Sequence, residues 1–405
     1  MAPTTNRNLT IFAGEFPARS ETFVRNHAAG FAQRGWRVEV MSSQPGESMS
    51  QTELAEVDAM GVTRSYWGAW SPSSAGRALQ FAGELMRAPG LVAVLNGAGG
   101  WTRPEMFAGH RMRRLLRQSP TGPVHVHYGK YAALLVAAGW PGPAIVTWHG
   151  FDANIVPKLR GDGIYRDLFA KDWVHTVGSS FVQRRLVALG ARPDRIVKIP
   201  MGVDFERFVE IDRSGWAARP LAVVSVGRLS EEKGHAVLLD AAAEVNARGT
   251  DLRLTIIGEG PARPVLERQI RDLGLGARVL LLGSQPPARV VRELAAADVF
   301  ALPGVTAGNG SEETQGLAYI EAQATGLPVI ASDVGGVSES LDPGRSGILT
   351  AERDVKAVAD ALVAYAEHPD LRYDHGRQGA AFVRAKFTQA AMLDAFERLY
   401  AGEAA

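Results

Sequence analysis

The stretch Glu313-Thr-Gln-Gly-Leu-Ala-Tyr-Ile-Glu321 runs directly into Ala322-Gln-Ala-Thr-Gly-Leu-Pro-Val-Ile-Ala-Ser332. Before it, residues 298–303 (DVFALP) have the composition of a strand, and residues 307–315 have that of a polar loop. Residues 317–325 are predicted to form a helix, which the following Gly-Leu-Pro ends. This order places the first glutamate in the loop and the second about one turn inside the helix.

The two glutamates define a candidate ligand site. On one continuous helix they would lie roughly 80° apart around the axis and about 12 Å apart along it, too far to share a small ligand. Gly316 breaks the helix between them, so Glu313 is expected at the helix mouth. Helix-start amides attract phosphate, and carboxylates accept hydrogen bonds from sugar hydroxyls. The pattern predicts a sugar-nucleotide site, with a chance pair on a solvated helix as the alternative.

A longer pattern surrounds this pair. Glu313-x7-Glu321, the following Ala-x-Ala-x-Gly-x-Pro-Val-Ile-Ala, and Gly335-Gly-x-x-Glu339 together resemble the signature of glycosyltransferase family four, whose members are retaining nucleotide-sugar glycosyltransferases. The resemblance implies the α/β GT-B fold, in which two Rossmann-like domains face each other across a deep cleft and the C-terminal helix crosses back to the N-domain. It is carried mainly by residues 221–350 and least by residues 44–122.

Length and composition agree with two globular domains. The chain has 405 residues, 46% hydrophobic and 21% charged, and no cysteine, which excludes disulfides, thiolate metal sites and thiol nucleophiles. A net charge of +1 gives no general attraction to nucleic acid. We predict an acceptor-binding domain over residues 1–205, on which a helix at about 388–405 packs, and a nucleotide-sugar-binding domain over residues 206–387.

Two features bear on location. The N-terminus lacks the apolar segment of a signal peptide, and no apolar run approaches the ~20 residues that span a bilayer, so a cytoplasmic protein is expected. The basic stretch His110–Arg117 carries Met112, Leu115 and Leu116 on or near one face. It is either a solvated helix or a docking site on the inner membrane face, where a lipid-linked acceptor would be met.

The N-terminal half opens as a βαβ unit, whose first loop, Gly14–Ser20, is expected at the ligand edge of a parallel sheet. This loop resembles that of exopolysaccharide-type members of the family, and the resemblance makes Gly14 a donor-binding residue. The alternative is a plain connection with Ser20 as helix N-cap.

A candidate catalytic histidine lies at the carboxyl end of a later strand. His149, in the form Thr-x-His-Gly-x-Asp152, resembles the family histidine that reaches the donor sugar. His127, in the form His-x-His-Tyr-Gly, is similar but is interpreted as structural. Pro200-Met-Gly-Val-Asp204 resembles the interdomain element of the family, with Met201 in place of the usual Asn.

The C-terminal half alternates strands and helices from Leu221 onward, which predicts a parallel sheet. Its first strand leads into Gly227-Arg-Leu-Ser-Glu-Glu-Lys-Gly234, and an Arg and a Lys on such a loop can hold a diphosphate and its developing charge. The loop resembles the family phosphate motif, which assigns the grip on the donor phosphates to Arg228 and Lys233. Gly258 and Gly260 resemble the turn beside the nucleotide.

By the same resemblance, Glu321 binds the ribose hydroxyls, Glu313 binds the donor sugar, and the amides near Gly316 and Leu317 meet the phosphates. The donor is expected to be a UDP-hexose, and the acceptor a saccharide, a lipid-linked saccharide or a small molecule. No His, Asp or Glu grouping shows metal-ligand spacing along the sequence, so we predict a metal-independent reaction without a resident cofactor. In a front-face displacement, the leaving phosphate oxygen would take the acceptor's proton.

Two other functions fit a sugar-nucleotide site. One is a catalytically silent binder of sugar nucleotides, which would not need all of Arg228, Lys233, Glu313 and His149. The other is a sugar-nucleotide epimerase, which transforms the donor without an acceptor.

Overall fold

The computed structural model describes residues 7–18, 21–44, 51–68, 101–119, 122–214 and 220–403, with isolated positions between 73 and 86. The chain forms two compact units. The first contains the chain up to Gly178, then Val182–Ile199 and the residues from Leu393 onward; the second contains Ser179–Phe181 and Pro200–Met392. The main division therefore falls before Pro200, ahead of the boundary predicted at residue 205.

The first unit is built on a seven-stranded, fully parallel sheet in the order β3-β2-β1-β4-β5-β6-β7. Its strands are β1 (Asn8–Phe12), β2 (Arg37–Ser42), β3 (Thr63–Tyr66), β4 (Val124–His127), β5 (Ile145–Trp148), β6 (Val174–Val177) and β7 (Ile196–Lys198). The described helices up to β7 are α1 (Thr22–Gln33), α2 (Gln51–Ala59), α3 (Arg103–Leu116), α4 (Gly129–Ala137), α5 (Phe151–Arg160), α6 (Arg166–Phe169) and α7 (Ser180–Ala188).

The second unit repeats this plan with six parallel strands in the order β10-β9-β8-β11-β12-β13. Its strands are β8 (Leu221–Val226), β9 (Leu252–Ile257), β10 (Val279–Gly283), β11 (Val299–Leu302), β12 (Val329–Ser332) and β13 (Gly347–Thr350). The helices that follow β8 are α8 (His235–Ala247), α9 (Arg263–Asp272), α10 (Pro287–Ala296), α11 (Leu317–Ala324), α12 (Val355–Glu367), α13 (Pro369–Lys386) and α14 (Gln389–Tyr400). The predicted α/β fold with two Rossmann-like sheets is confirmed.

The core of the second unit lies on both faces of its sheet. In β11, Val299 and Ala301 belong to one hydrophobic cluster, whereas Phe300 and Leu302 belong to another. Successive side chains of a strand point to opposite faces, so a strand covered on both sides is apolar at every position. This is why DVFALP has the composition of a strand without alternating polarity.

Each strand order reverses at one place, between β1 and β4 in the first unit and between β8 and β11 in the second. Ligands of doubly wound sheets bind outside the carboxyl ends of the strands at this switch point. In the second unit the loop after β8 carries Lys233, and the loop after β11 carries Glu313. Sheet topology thus brings two predicted site residues, eighty positions apart, to one edge.

The segment that begins at His149 was expected to start a loop, but Phe151–Arg160 form helix α5. Helix α13 was not predicted either. Helix α13 contains Gly376 and Gly379, which are poor helix formers. A Cβ on Gly376 would overlap the carbonyl oxygen of Gly326, and one on Gly379 would lie 3.1 Å from the Gln323 side chain. Tertiary packing against the end of α11 therefore requires small residues in α13 and outweighs their low helix propensity.

Among the described residues, no helix combines the length and the hydropathy needed to cross a bilayer.

A buried arginine holds two helix ends of the second unit. Arg213 donates to the carbonyl oxygens of Leu294 (2.9 Å) and Ala297 (3.0 Å) at the end of α10, and to that of Thr325 after α11. We expect Arg213→Met to lower the free energy of unfolding of the second unit by about 3 kcal/mol, because several buried carbonyls lose their donor. Urea unfolding followed by far-ultraviolet circular dichroism measures this. Arg213→Lys, with fewer donors, should have a stability between those of the wild-type protein and the Met variant. An unchanged urea midpoint in the Met variant would refute the stabilising role of Arg213.

Candidate functional site

The loop after β8 is pressed against the end of β11. Gly234 has φ +66°, and a Cβ there would overlap the carbonyl oxygen of Pro303. The amide of Val305 donates to the carbonyl of Glu232 at 3.0 Å. Only glycine permits both this backbone conformation and this approach, so Gly234 holds the two switch-point loops together.

Lys233 and Glu313 form an ion pair at this junction. The side chains are only 22% and 13% exposed, and the Thr314 amide also donates to the Glu313 carboxylate at 3.2 Å. Burial acts to raise the pKa of Glu313, but the charge and hydrogen bond of Lys233 outweigh it and hold the pKa below its ordinary value. The structure thus brings two predicted site residues into direct contact, one as an ammonium and one as a carboxylate.

Glycines on both sides shape the loop that carries Glu313. The amide of Gly336 donates to the carbonyl of Glu313 at 2.9 Å, and a Cβ on Gly335 would overlap that same carbonyl. Gly316 has φ +68°, and a Cβ there would overlap the ring of Tyr319. The backbone can therefore turn into α11, whose first residue is Leu317, immediately after the loop. The predicted break between the two carboxylates lies at Gly316, as expected.

Glu321 lies in the second turn of α11 with a half-buried side chain. Burial raises its pKa to about 7, and the charge of Arg207 offsets part of that effect. One helix and its entry loop therefore carry a carboxyl group whose pKa lies below its ordinary value and another whose pKa is raised. Binding of the ribose by Glu321 stays a prediction.

Gln315 connects this loop to the segment that was predicted to join the domains. Its side-chain oxygen accepts from the amide of Met201 at 2.8 Å, and its side-chain nitrogen donates to the Met201 carbonyl at 3.0 Å. Both contacts use the backbone of Met201, so they do not depend on the side chain that departs from the usual Asn. Gln315 is a site residue that was not predicted, and the usable signal was an amide side chain directly before the glycine at the helix start.

Arg228 is more exposed than its neighbours. Its side chain is 65% exposed and contacts Ser230 at 3.3 Å and Glu232 at 3.5 Å. It lies on the loop of Lys233 but contacts other side chains than the Lys233–Glu313 pair. Its predicted grip on phosphate stays a prediction.

Gly258 and Gly260 let the loop after β9 lie on the loop that carries Arg228. A Cβ on Gly258 would overlap the carbonyl oxygen of Gly227, and one on Gly260 would overlap that of Leu229. The Leu229 amide donates to the Glu259 carbonyl at 2.9 Å. These contacts give both glycines a packing role, and donor binding by them remains a prediction.

In the first unit, a buried aspartate sets the loop of His149. Asp152 accepts from the amides of His149 (3.1 Å), Gly150 (3.0 Å) and Gly129 (2.6 Å). Burial raises the pKa of Asp152 to about 6, against the lowering effect of these donors. The carboxylate thereby ties the loop after β5 to the start of α4, which explains the Asp of the Thr-x-His-Gly-x-Asp form.

Histidines cluster behind His149. Nδ1 of His127 lies 2.9 Å from Nε2 of His149, and ligand atoms of His27, His125 and His127 lie within 4.8 Å of one another. This group shows no metal-ligand spacing along the chain, because His27 lies about a hundred positions before the other two histidines. The three are nevertheless poorly arranged for a metal, since the rings of His125 and His127 are stacked at 4.7 Å with planes 7° apart, and one ion cannot lie in both planes.

Hydrogen bonds use both nitrogens of His125, Nδ1 with the hydroxyl of Tyr400 (2.5 Å) and Nε2 with that of Thr147 (2.6 Å). Burial lowers the pKa of all four histidines in the cluster, so they are neutral at pH 7. The arrangement is a buried network of neutral imidazoles, and the absence of a metal from the reaction stays a prediction.

Gly14 lies at the switch point of the first unit. A Cβ on it would be 3.1 Å from the Tyr131 hydroxyl and 3.3 Å from the carboxylate of Glu21. Burial raises the pKa of Glu21 to about 7, and the sequence analysis did not select this residue. The predicted N-cap Ser20 lies outside the described residues, and α1 begins at Thr22.

The basic stretch His110–Arg117 forms the end of α3. Met112 and Leu116 are buried, and the Arg113 guanidinium donates to the Ala138 carbonyl at 2.7 Å. Part of the apolar face thus packs inside the first unit, and contact of this helix with a membrane stays a prediction. Much of residues 44–122, where the family resemblance is weakest, lies outside the described residues.

Comparisons with known proteins agree with this architecture. Residues 20–207 match the family described as Glycosyltransferase Family 4, and residues 207–382 match that described as Glycosyl transferases group 1. Among solved structures, that of Anabaena Alr3699/HepE in complex with UDP superposes with a TM-score of 0.71 at 18% identity, over 98% of this chain and 100% of that one. The fold is therefore that of the GT-B enzymes.

Two relatives extend the comparison. The amylovoran biosynthesis glycosyltransferase AmsK of Erwinia amylovora is 29% identical over 88% of this chain and 89% of its own length. The GDP-mannose-dependent monoacylated alpha-(1-6)-phosphatidylinositol monomannoside mannosyltransferase of Corynebacterium glutamicum is 30% identical over 71% of this chain and 79% of its own. The chain belongs to glycosyltransferase family 4, with a C-terminal half of the group 1 type.

Proposed function

We propose that this glycosyltransferase moves a hexose from a UDP-sugar to a hydroxyl of a saccharide or lipid-linked saccharide, with retention at the anomeric carbon. The observation that carries the proposal is the Lys233–Glu313 ion pair at the switch point of the second sheet. The bound UDP of Anabaena Alr3699/HepE supports the choice of nucleotide, and the role of AmsK in amylovoran biosynthesis supports a saccharide acceptor. A cytoplasmic location and a reaction without a metal ion belong to the same proposal.

The ion pair suits a ligand that carries both phosphate and hydroxyl groups. A diphosphate next to Lys233 would share the ammonium with Glu313. The carboxylate would then accept a hydrogen bond from a sugar hydroxyl, while Arg228, which is exposed and on the same loop, adds a second positive charge. The amides at the start of α11, near Gly316 and Leu317, complete the anion site.

The proposed reaction needs no nucleophile from the protein. The bond between the anomeric carbon and the phosphate oxygen breaks while the acceptor oxygen bonds to the same face of the sugar. The released phosphate oxygen takes the proton of the acceptor hydroxyl, and Lys233 and Arg228 stabilise the charge that develops on the diphosphate. His149, on the first unit, is the candidate group for contact with the sugar.

A panel of nucleotide sugars tests the proposal. Purified protein should release UDP from a UDP-hexose, slowly with water and faster with a suitable saccharide acceptor, and nuclear magnetic resonance of the product should show the donor's anomeric configuration. Release only of GDP from GDP-mannose would correct the donor, as the Corynebacterium relative suggests. An altered sugar without transfer would indicate an epimerase, and saturable binding without turnover would indicate a silent binder.

Donor affinity should depend on pH through Glu321. The ionised carboxylate can accept one hydrogen bond on each oxygen from the two ribose hydroxyls, whereas protonation turns one oxygen into a donor and removes the charge. With a pKa of about 7 for Glu321, about a tenth of the free protein has this ionised form at pH 6. The Kd of the UDP-hexose, measured by calorimetry, should therefore be about tenfold lower at pH 8 than at pH 6. Glu321→Gln should bind more weakly and lose this dependence, and a flat profile in the wild-type protein would exclude the ribose role.

A further inference from the structure

His127 contacts the candidate catalytic histidine but has no part in the proposed reaction. It is fully buried, and its Nδ1 lies 2.9 Å from Nε2 of His149. Its other ring nitrogen, Nε2, is also buried, and in the described part of the chain it has no hydrogen-bond partner. One nitrogen of His127 is thus committed to His149, and the other faces side chains that do not pair with it.

This asymmetry decides which ring donates. A neutral imidazole carries one N–H and one lone pair. If His149 donated, His127 would have to hold its proton on Nε2, as a buried N–H without an acceptor. If His127 donates from Nδ1, its partnerless Nε2 holds only a lone pair. Buried N–H groups without a partner are rare in proteins, so the second arrangement is favoured.

The hydrogen bonds of the neighbouring histidines are compatible with donation from His127 to His149. Nε2 of His27 lies 2.9 Å from the Tyr400 hydroxyl, and Nδ1 of His27 is buried without a partner among the described residues. By the same argument His27 donates to Tyr400, Tyr400 donates to Nδ1 of His125, and His125 donates to the hydroxyl of Thr147. Every N–H of His27, His125 and His127 then has an acceptor.

The ring of His149 is also held in place. Its centroid lies 4.1 Å from that of Phe23 and 4.8 Å from that of Tyr128. Burial keeps both His127 and His149 neutral, because it lowers the pKa of each. Because the ring is neutral, it carries one proton, and its neighbours decide which of the two ring nitrogens carries it.

We propose that His127 is a positioning residue whose Nδ1–H donates to Nε2 of His149 and so fixes His149 in the tautomer protonated on Nδ1. Resting on the proposed function, this makes His149 a hydrogen-bond donor toward an oxygen of the donor sugar and not a base. His127 itself touches no substrate. Its effect on turnover passes through the proton position of His149.

The tautomer is measurable without substrate. In full-length protein labelled with ¹⁵N-histidine, long-range proton–nitrogen spectra distinguish protonated from unprotonated ring nitrogens, and the His149 signals are those missing from His149→Gln. We expect Nδ1 of His149 to be protonated and its Nε2 unprotonated. The reverse assignment in the wild-type protein would overturn the proposal by itself.

Two variants link the tautomer to turnover. The side-chain amide nitrogen of His127→Asn replaces Nδ1 as a donor, whereas His127→Leu has no donor. We expect mixed His149 tautomers and about a ten- to hundredfold lower kcat in the Leu variant, and the wild-type tautomer with kcat within about threefold in the Asn variant. Circular dichroism shows whether each variant is folded. Equal spectra and equal kcat for the Leu variant and the wild-type protein would refute the role.

Failure of the proposed function would look different. If the wild-type protein released no nucleotide from any sugar donor, the transferase proposal would fall, but the spectrum of His149 would still decide the tautomer. If turnover were normal and His149 carried its proton on Nε2, only the inference on His127 would fall.

Discussion

Acidification from pH 7.5 to pH 5.5 should lower the free energy of unfolding of the first unit by on the order of 4 kcal/mol. Five histidines in this unit, four of them buried and His149 half-buried, have a pKa below the ordinary value of 6.5, so they stay neutral in the folded chain and take up protons only on unfolding. Each costs about 1.4 kcal/mol at pH 5.5. The four buried ones are His27, His125, His127 and His175, and the fifth is His149.

Two carboxyl groups of the same unit act in the opposite direction. The pKa of Glu21 is raised to about 7 and that of Asp152 to about 6, so the folded chain takes up protons there as the pH falls. Together they raise the free energy of unfolding by about 3 kcal/mol between pH 7.5 and pH 5.5. The net loss given above already includes this contribution. The histidine contribution is complete above pH 6.5 and is lost as the pH falls below it.

Urea unfolding followed by tryptophan fluorescence measures this loss, because seven of the eight tryptophans precede residue 200. His27→Phe keeps a ring against Phe396 and should reduce the proton uptake on unfolding by about one. His368→Gln, at an exposed position in the second unit, is the control for replacing a histidine outside the first unit. A stability independent of pH between 7.5 and 5.5 would show that these histidines are not held neutral.

Lys233→Met should lower turnover of the sugar donor by about 10²- to 10³-fold, because the developing charge of the diphosphate loses its buried ammonium. The same change leaves Glu313 without its cation in a site where its side chain is 13% exposed. We therefore also expect the free energy of unfolding of the second unit to fall by about 3 kcal/mol. Steady-state kinetics and denaturant unfolding measure the two effects separately.

The double variant Lys233→Met with Glu313→Gln separates stability from catalysis. Removing both charges should restore most of the stability, since no uncompensated charge remains buried, but not the turnover. A Lys233→Met protein with wild-type kcat would remove Lys233 from the reaction. A double variant as unstable as the single one would mean that the ion pair is not the source of the loss.

Most elements of the second unit could be predicted from local patterns. The helix predicted over residues 317–325 is observed at Leu317–Ala324, and the strand predicted over residues 298–303 at Val299–Leu302. These predictions succeed because a buried parallel strand is apolar at every position and because glycine and proline end helices within a residue or two. Helix α13 was missed because its glycines are required by packing against α11, which no local pattern reveals.

Some features of the candidate site could likewise be predicted from the sequence, and others depend on the tertiary structure. The turns at Gly234 and Gly316 are local features. Each glycine precedes a helix and has a left-handed backbone, which glycine favours regardless of the tertiary position of that helix. The places of Lys233 and Glu313 after strands also predicted that both lie at the ligand edge of the sheet. Their pairing could not be predicted, because it depends on two loops that meet only where the strand order reverses.

By itself, the sequence determined the two parallel sheets, the glycines that turn the chain into its helices, and the residue types that suit a sugar nucleotide. These properties depend on neighbours a few positions away. Only the tertiary structure decided that Gln315 holds the backbone of Met201, that Asp152 holds the loop of His149, and which histidine faces which. Burial and hydrogen-bond partners set protonation and tautomer, and both are supplied by residues that are distant in the chain and adjacent only after folding.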